Sequence, residues 1–180
     1  MTDAKERARA TYDAAADTFD DPALSFWDRF GRRTVERLDL RPGEKVLDVC
    51  CGSGGSAIPA AERVGPAGAV LGADISERLL ELARAKAKAR GLGCAEFRLA
   101  DLERLGVPDE AFDAVVCVFG IFFLPDMPGA VRELWRRVRP GGRLAITTWG
   151  RGIFEPMNGV FWESVRAERP ELFKSFNPWD

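Results

Sequence analysis

The stretch that decides the fold is EKVLDVCCGSGGS, from Glu44 to Ser56. Its residues 45–49 form a short apolar run of the kind that makes a parallel strand buried on both faces. The glycines that follow predict a sharp turn in which the backbone approaches a ligand without a Cβ in the way. Ser56 is predicted to cap the next helix, with Pro59 in its first turn. A strand, a glycine turn and a helix N-terminus together predict a site for a nucleotide-like ligand.

Outward from this stretch, short apolar runs alternate with helical patterns. Further strands are predicted at residues 69–73, 95–99, 112–119 and 143–149, and helices at 56–64, 76–90 and 128–138. This alternation predicts an α/β fold with right-handed crossovers: a doubly wound, mostly parallel sheet of order 3-2-1-4-5 with helices on both faces. Two further helices, at residues 3–19 and 23–38, precede the first strand and predict an N-terminal helical flank.

Composition excludes several classes of function. The formal net charge of −2 gives no basic footprint for nucleic acid and no polybasic patch for a membrane surface. No apolar run approaches the length of a membrane span, and the charged N-terminus does not resemble a signal peptide. We therefore expect a cytoplasmic protein without a membrane span.

Cysteine and histidine usage limits the chemistry further. The adjacent Cys50 and Cys51 do not resemble a metal-binding knuckle, and we interpret the four cysteines as reduced, buried thiols. A reactive pair, as in arsenic chemistry, is the disfavoured alternative. The chain has no histidine, which excludes a histidine-based triad and a histidine general base. We name no metal ligand.

The glycine turn alone is compatible with two kinds of ligand. Residues 52–57 satisfy the dinucleotide pattern G-x-G-x-x-G/A, and the acidic Asp74 follows at the distance expected for a ribose contact. However, Asp48 at the end of the first strand would place a carboxylate beside a phosphate and repel it. A further acid, Asp101, follows the third strand and adds a second carboxylate near the predicted site. Two helices precede the first strand here, whereas dinucleotide-binding domains commonly start at that strand. A nicotinamide-dependent oxidoreductase thus stays as a minor alternative.

Five segments in order resemble one family. They are VLDVCCGSG at 46–54, VLGADIS at 70–76, LADLERL at 99–105, FDAVVCVFGIFFLPD at 112–126 and LWRRVRPGGRLAITTW at 134–149. This series resembles the motifs of class I S-adenosylmethionine-dependent methyltransferases, and most of all the small-molecule branch that includes the ubiquinone/menaquinone-biosynthesis methyltransferases. The resemblance covers roughly residues 10–150. Cys50 departs from the commoner glycine, although cysteine occurs there in quinone-pathway relatives.

The resemblance implies S-adenosylmethionine as cofactor, S-adenosylhomocysteine as product, and a set of cofactor-binding residues. These are Tyr12, Asp48, Cys50, Gly52, Gly54, Asp74, Ile75, Asp101, Leu102 and Cys117. At the methionine end, Asp48 would anchor the turn and the two glycines would leave space. The backbone near Cys50 and Cys117 would meet the ammonium group.

At the adenosine end, the resemblance implies contacts to the ribose and the base. Asp74 would accept both ribose hydroxyls, which suits a carboxylate. Ile75 would pack on one face of adenine. Asp101 would take the adenine amino group, while the N–H of Leu102 would meet a ring nitrogen.

Each of these residues also has a plainer structural interpretation. Asp48 would cap the next turn, Asp74 would be a helix N-terminal acid favoured by the dipole, and Asp101 would be an ordinary loop residue. Tyr12 resembles a residue that closes over the methionine end, but simple helix packing accounts for it equally. The aromatic residues at 26–30 would pack in the hydrophobic core as readily as they would line a substrate pocket.

Methyl transfer from a sulfonium is an in-line displacement that depends on positioning and needs no metal. An aromatic pocket would favour it, and we expect one from the phenylalanines at 119, 122 and 123 together with Trp149 and Phe154. Relatives often have histidines near positions 122 and 123, so their replacement by phenylalanine favours an apolar or already acidic acceptor. We name no catalytic residue.

The sequence thus predicts a methyltransferase acting on a small, apolar or aromatic molecule. The parts are a helical lid or flank at 1–42, a Rossmann-like core at 43–150 and a helical tail at 151–180. The antiparallel strands that usually close this sheet are expected to be missing, so we interpret the tail as a truncated substrate cap. A cofactor-binding but inactive or incomplete module is the alternative. Expected partners are a small-molecule acceptor, no nucleic acid, and a second copy of the chain through the sheet edge or the tail.

Overall fold

The computed structural model describes residues 3–150 and 152–172. Its helices are α1 Asp3–Ala15, α2 Phe26–Leu38, α3 Ala57–Val64, α4 Glu77–Ala89, α5 Met127–Arg137 and α6 Met157–Glu168. Its strands are β1 Lys45–Val49, β2 Ala69–Asp74, β3 Ala95–Leu99, β4 Phe112–Val118 and β5 Val138–Thr147. The predicted helix at 3–19 ends at Ala15 and continues as a 3₁₀ turn, Ala16–Thr18.

The strands form one parallel sheet with β1 at its centre. The order is β3-β2-β1-β4-β5, and each neighbouring pair is parallel, which confirms the predicted topology. In register, Val46 lies between Val70 of β2 and Ala114 of β4. The chain reverses direction across the sheet after β3, so the carboxyl ends of β1 and β4 border the crevice where ligands bind in folds of this kind.

Alternate residues of the central strands supply two separate hydrophobic layers. Val46, with Val70 and Val116, packs in the layer that holds α2, α3 and α4. Leu47, with Val115, packs in the layer that holds α5 and the turn after β3. Because both faces are covered, β1 carries an almost continuous apolar run, as a central parallel strand should.

Strand β5 begins earlier than the sequence predicts. The sequence predicts the strand only at 143–149, after the Pro-Gly-Gly segment at 140–142. Instead Val138 already pairs with Phe112, and the register is irregular before Arg143 pairs with Ala114. The glycines lie inside a bulge, where Gly141 takes a φ of 76°. The predicted boundaries of β5 are therefore wrong at both ends, since the strand stops at Thr147.

The chain divides into two compact units, of which the first ends at Thr147 and the second begins at Thr148. The second unit contains α6 and a ring contact between Trp149 and Phe154, whose ring centroids lie 5.4 Å apart. The end of the predicted tail, from residue 173 onward, lies outside the described residues. Within the described part of the chain, no helix is both long and apolar enough to cross a membrane.

Candidate functional site

A cavity of the first unit opens at the carboxyl ends of the strands. It holds about 1020 Å³ of space free of protein atoms, part of it open to solvent. Its wall is built from α1, α2, the turn after β1, the end of β2 and the segments that follow β3 and β4. Its position at the carboxyl ends of parallel strands suits a small organic ligand.

The glycine turn between β1 and α3 forms one wall. Three residues of the turn have left-handed backbones, with φ values of 59° at Cys50, 53° at Gly52 and 91° at Gly54. Helix α2 crosses the turn in direct contact, because a Cβ on Gly31 would lie only 2.3 Å from the backbone oxygen of Gly55. The small residues thus shape the turn and let a helix close over it.

Asp74 stands at the end of β2 and faces the cavity. Its Oδ2 accepts a hydrogen bond from the backbone N–H of Gly52 at 2.8 Å, and its Oδ1 accepts one from that of Ser76 at 2.9 Å. Burial raises the pKa of the carboxyl, while these hydrogen bonds oppose the rise. The donors leave part of the acceptor capacity unused, so the oriented carboxylate can bind ligand hydroxyls.

Asp48 lies behind the turn rather than on the cavity wall. Its side chain is fully buried and its Oδ2 accepts a hydrogen bond from the hydroxyl of Ser56 at 2.8 Å. This contact corrects the predicted helix cap, because the Ser56 side chain makes no capping bond and bonds Asp48 instead. The Oδ1 of Asp48 is buried without a partner. Burial raises the pKa of this carboxyl to about 7.

The raised pKa of Asp48 predicts a specific dependence of stability on pH. An aspartate in an unfolded chain titrates near about 3.9, so folding favours the protonated form and the free energy of unfolding falls as pH rises from about 4 through about 7. Asp48→Asn removes this titration while keeping the shape. Between about pH 5.5 and pH 8 we expect the wild type to lose roughly 2 kcal/mol relative to the variant, measured by urea denaturation. Parallel pH profiles of the two proteins would contradict the assignment.

Asp101 caps the 3₁₀ turn that follows β3, and a lysine of the N-terminal helix α1 binds its carboxylate. The ammonium of Lys5 lies 2.8 Å and 2.7 Å from the two carboxylate oxygens and also pairs with Glu103. Burial raises the pKa of the Asp101 carboxyl, but the hydrogen bond from Lys5 and one from the backbone of Glu103 outweigh it and lower the pKa. Asp101 is therefore ionised at neutral pH.

Aromatic rings line the opposite part of the cavity. Tyr12 of α1 contacts Phe19 and Phe123 edge to face, and Phe19 stacks on Trp27 at 5.9 Å. Trp27 in turn contacts Phe119, which follows β4. Burial, followed by the charge of Asp74, raises the pKa of Tyr12 to about 12, so its phenol stays protonated.

The cysteines of the turn are thiols rather than thiolates. A hydrogen bond with Cys117, followed by burial, raises the pKa of Cys50, and burial raises that of Cys51. All four cysteines of the chain are free. Because the thiolate is the nucleophile and the metal ligand, these residues act as packing groups at neutral pH. Within residues 3–150 and 152–172, no group of three or more ligand-type side chains is arranged to hold a metal ion.

The structure brings most of the predicted site residues to this one cavity. Its wall includes Tyr12, Cys50, Gly52, Asp74, Ile75, Asp101 and Leu102. Asp48, Gly54 and Cys117 lie behind the wall, where they shape the turn or pack beneath it. Of the predicted aromatic pocket, Phe119 and Phe123 line the cavity, and Phe122 contacts Phe123.

Lys5 and Phe19 were not predicted from the sequence as residues of the cavity wall. Lys5 lies seven positions before Tyr12 on the same helix, so it shares the face of α1 that meets the cavity, and that spacing was the available signal. Phe19 lies seven positions after Tyr12, within the helix predicted at 3–19, so the same spacing was its signal, although in the structure the helix ends at Ala15. The chemistry of the wall suits a nucleoside without phosphates: it has carboxylates and apolar groups, and Lys5, the one cation among the described lining residues, is already paired.

Comparisons with known proteins place the chain among methyltransferases. The family described as Methyltransferase domain matches residues 46–142. The chain is 37% identical to aklanonic acid methyltransferase DauC of Streptomyces sp. (strain C5), over 97% of this chain and 85% of that protein. It is 33% identical to the ubiquinone/menaquinone biosynthesis C-methyltransferase UbiE of Cronobacter sakazakii, over 84% of this chain. The chain spans only 60% of the length of that second relative.

A solved structure shows the same fold. The crystal structure of an S-adenosylmethionine-dependent methyltransferase from Aquifex aeolicus superposes with a TM-score of 0.66 at 26% sequence identity. The match covers 77% of this chain and 73% of the other.

Proposed function

Because this chain belongs to the class I S-adenosylmethionine-dependent methyltransferase family, we propose that it transfers a methyl group to a small, apolar or aromatic acceptor in the cavity described above. The cofactor of this family is S-adenosylmethionine. The observation that carries the proposal is the position of Asp74, which two backbone N–H groups orient at the end of β2 beside an aromatic cavity.

The residues of the wall fit that cofactor in three places. The carboxylate of Asp74 would bind the ribose hydroxyls, and Ile75 and Leu102 would enclose the base. The left-handed glycine turn leaves the backbone open to the methionine part, since a Cβ on Gly52 would narrow the cavity there. When bound, the cofactor supplies an electrophilic methyl group on a sulfonium centre.

The aromatic side of the cavity would receive the acceptor. Tyr12, Trp27 and Phe119 would exclude water and hold a flat apolar molecule in line with the methyl group. The phenol of Tyr12 and the thiol of Cys50 stay protonated at neutral pH, because the pKa of each is raised. Neither group can therefore act as a general base. The proposal therefore favours an acceptor whose own oxygen or carbon acid is ionised, such as a phenol or an enol, rather than one that the protein must deprotonate.

A transfer assay with isotope-labelled methyl groups tests this function. Incubated with labelled S-adenosylmethionine, the chain is expected to label acidic phenols and enols faster than aliphatic alcohols or amines of similar size. The rate should follow the ionised fraction of the acceptor as pH is raised. Preferential labelling of oligonucleotides or of polar amines would contradict the proposal. Cofactor binding without transfer to any acceptor would identify the alternative, an inactive or incomplete module.

The remaining expectations belong to the same proposal. The net charge of −2 supports a protein that does not bind nucleic acid, and the free thiols support a cytoplasmic location. Strand β5 is an edge of the sheet, so a homodimer through that edge or through the tail stays a prediction. The division into flank, core and tail, with the tail as part of a substrate cap, also stays a prediction.

A further inference from the structure

Lys5 is a buried cation that the proposed reaction does not use. Only 6% of its surface is exposed, although lysine is among the residues that are rarely buried without a partner. It lies in α1, far in sequence from its partners Asp101 and Glu103, and it lines the cavity with Ala8 and Tyr12 of the same helix face. A buried charge is costly unless its hydrogen bonds are satisfied, so this contact has a definite geometry.

The hydrogen bonds of Asp101 leave one place open. A carboxylate has about four acceptor sites. Lys5 donates to both oxygens, at 2.8 Å and 2.7 Å, and the backbone N–H of Glu103 donates to Oδ1 at 3.1 Å. One acceptor site on Oδ2 is left, in a carboxylate that cannot rotate without breaking these bonds.

The open acceptor site belongs to a residue at the end of the cavity that the proposed function assigns to the base of the cofactor. Asp101 lines the cavity beside Ile75, Ala100 and Leu102, and we call these four residues the base end. The apolar members suit the faces of a purine, whereas the carboxylate suits an N–H donor on its edge. The exocyclic amino group of adenine is such a donor.

We propose that Lys5 is a positioning residue of the cofactor site, which orients the Asp101 carboxylate to accept a hydrogen bond from the adenine amino group. This inference rests on the proposed function. The hydrogen bond from Lys5 also favours the ionised form of Asp101, because it lowers the pKa of that carboxyl. An ionised acceptor makes the stronger hydrogen bond.

Helix α1 is fixed well enough to hold Lys5 in place. The carboxylate of Asp13, the residue after Tyr12, accepts a hydrogen bond from the hydroxyl of Ser76 at 2.6 Å. In the 3₁₀ turn that follows α1, Asp17 pairs with Arg78. Both partners belong to the start of α4, next to Asp74. The lysine therefore reaches Asp101 from a helix that is attached to the same end of the sheet.

The test compares two ligands, S-adenosylhomocysteine and its analogue in which hydrogen replaces the 6-amino group of the base. The wild type is expected to prefer S-adenosylhomocysteine. In Lys5→Met we expect its affinity to fall about tenfold, as for the loss of one charge-assisted hydrogen bond, while the affinity for the analogue changes less than threefold. Lys88→Met, an exposed lysine of α4 away from the cavity, is the matched control and should match the wild type.

The ratio of the two affinities separates positioning from a merely structural role. If Lys5→Met lowers the affinity for both ligands equally, or lowers neither affinity, the inference is wrong. Lys5→Gln, which retains a donor of nearly the same length, should keep part of the preference and serves if Lys5→Met does not fold. Failure of the wild type to bind S-adenosylhomocysteine would instead overturn the proposed function on which the inference rests.

Discussion

Asp74→Ala is expected to weaken the binding of S-adenosylhomocysteine by at least about 100-fold. Hydrogen bonds to a charged group contribute about 1.5–3 kcal/mol each, and the carboxylate would bind two ribose hydroxyls. The variant also removes the acceptor for the backbone N–H of Gly52, which helps to fix the glycine turn. Calorimetric titration of both proteins measures the difference.

Glu77→Ala is the matched control for this prediction. Glu77 lies three positions after Asp74 in the first turn of α4, is exposed, and pairs with Arg84. If Asp74 were only a helix N-terminal acid favoured by the dipole, substitutions at Asp74 and Glu77 would have similar effects on ligand binding. We expect the Glu77 variant to bind within twofold of the wild type. Equal affinities of the Asp74 variant and the wild type would contradict the assigned contact.

Gly31→Ala is expected to lower the free energy of unfolding by about 2 kcal/mol. Alanine in a helix gains up to about 1 kcal/mol over glycine, but overpacking costs about 1–3 kcal/mol. Here the added Cβ would lie 2.3 Å from the backbone oxygen and 2.4 Å from the backbone carbon of Gly55, so a backbone rather than a flexible side chain must move. The clash therefore outweighs the gain in helix propensity.

Chemical denaturation measures this change, with Gly93→Ala as control. No atom lies within 4 Å of the Cβ that would be added at Gly93. The control should unfold within about 0.5 kcal/mol of the wild type. Since α2 and the glycine turn both line the cavity, Gly31→Ala should also weaken the binding of S-adenosylhomocysteine. A variant as stable as the wild type would show that α2 does not pack on the turn as described.

The sheet was predictable because its signals are local. Each strand is a short apolar run between helical patterns, and the order of a doubly wound sheet follows from the handedness of its crossovers. The start of β5 was not predictable in the same way. A Pro-Gly-Gly segment usually marks a turn, and only the pairing of Val138 with Phe112 on β4 turns it into a bulge inside a strand.

The site residues also differ in whether local sequence signals predict them. Asp74 ends β2 and Asp101 lies two positions after β3, so a parallel sheet brings both to one edge, and their positions followed from the order of motifs. Lys5 and Ser56 depended on contacts outside their own helices. The partner of Lys5 lies 96 residues away, and the hydroxyl of Ser56 bonds to Asp48 rather than to its own helix. No local pattern encodes such contacts, because only the folded backbone brings the groups together.

Calorimetric titration of the chain with S-adenosylhomocysteine, with NADH titrated in parallel, tests the central claim most directly. The account predicts binding in the micromolar range for S-adenosylhomocysteine, about −8 kcal/mol, and no measurable heat for NADH. Among the described residues that line the cavity, the one cation is the paired Lys5, so a dinucleotide phosphate finds no free cation there. Binding of NADH without binding of S-adenosylhomocysteine would contradict the claim that this cavity is a methyltransferase cofactor site.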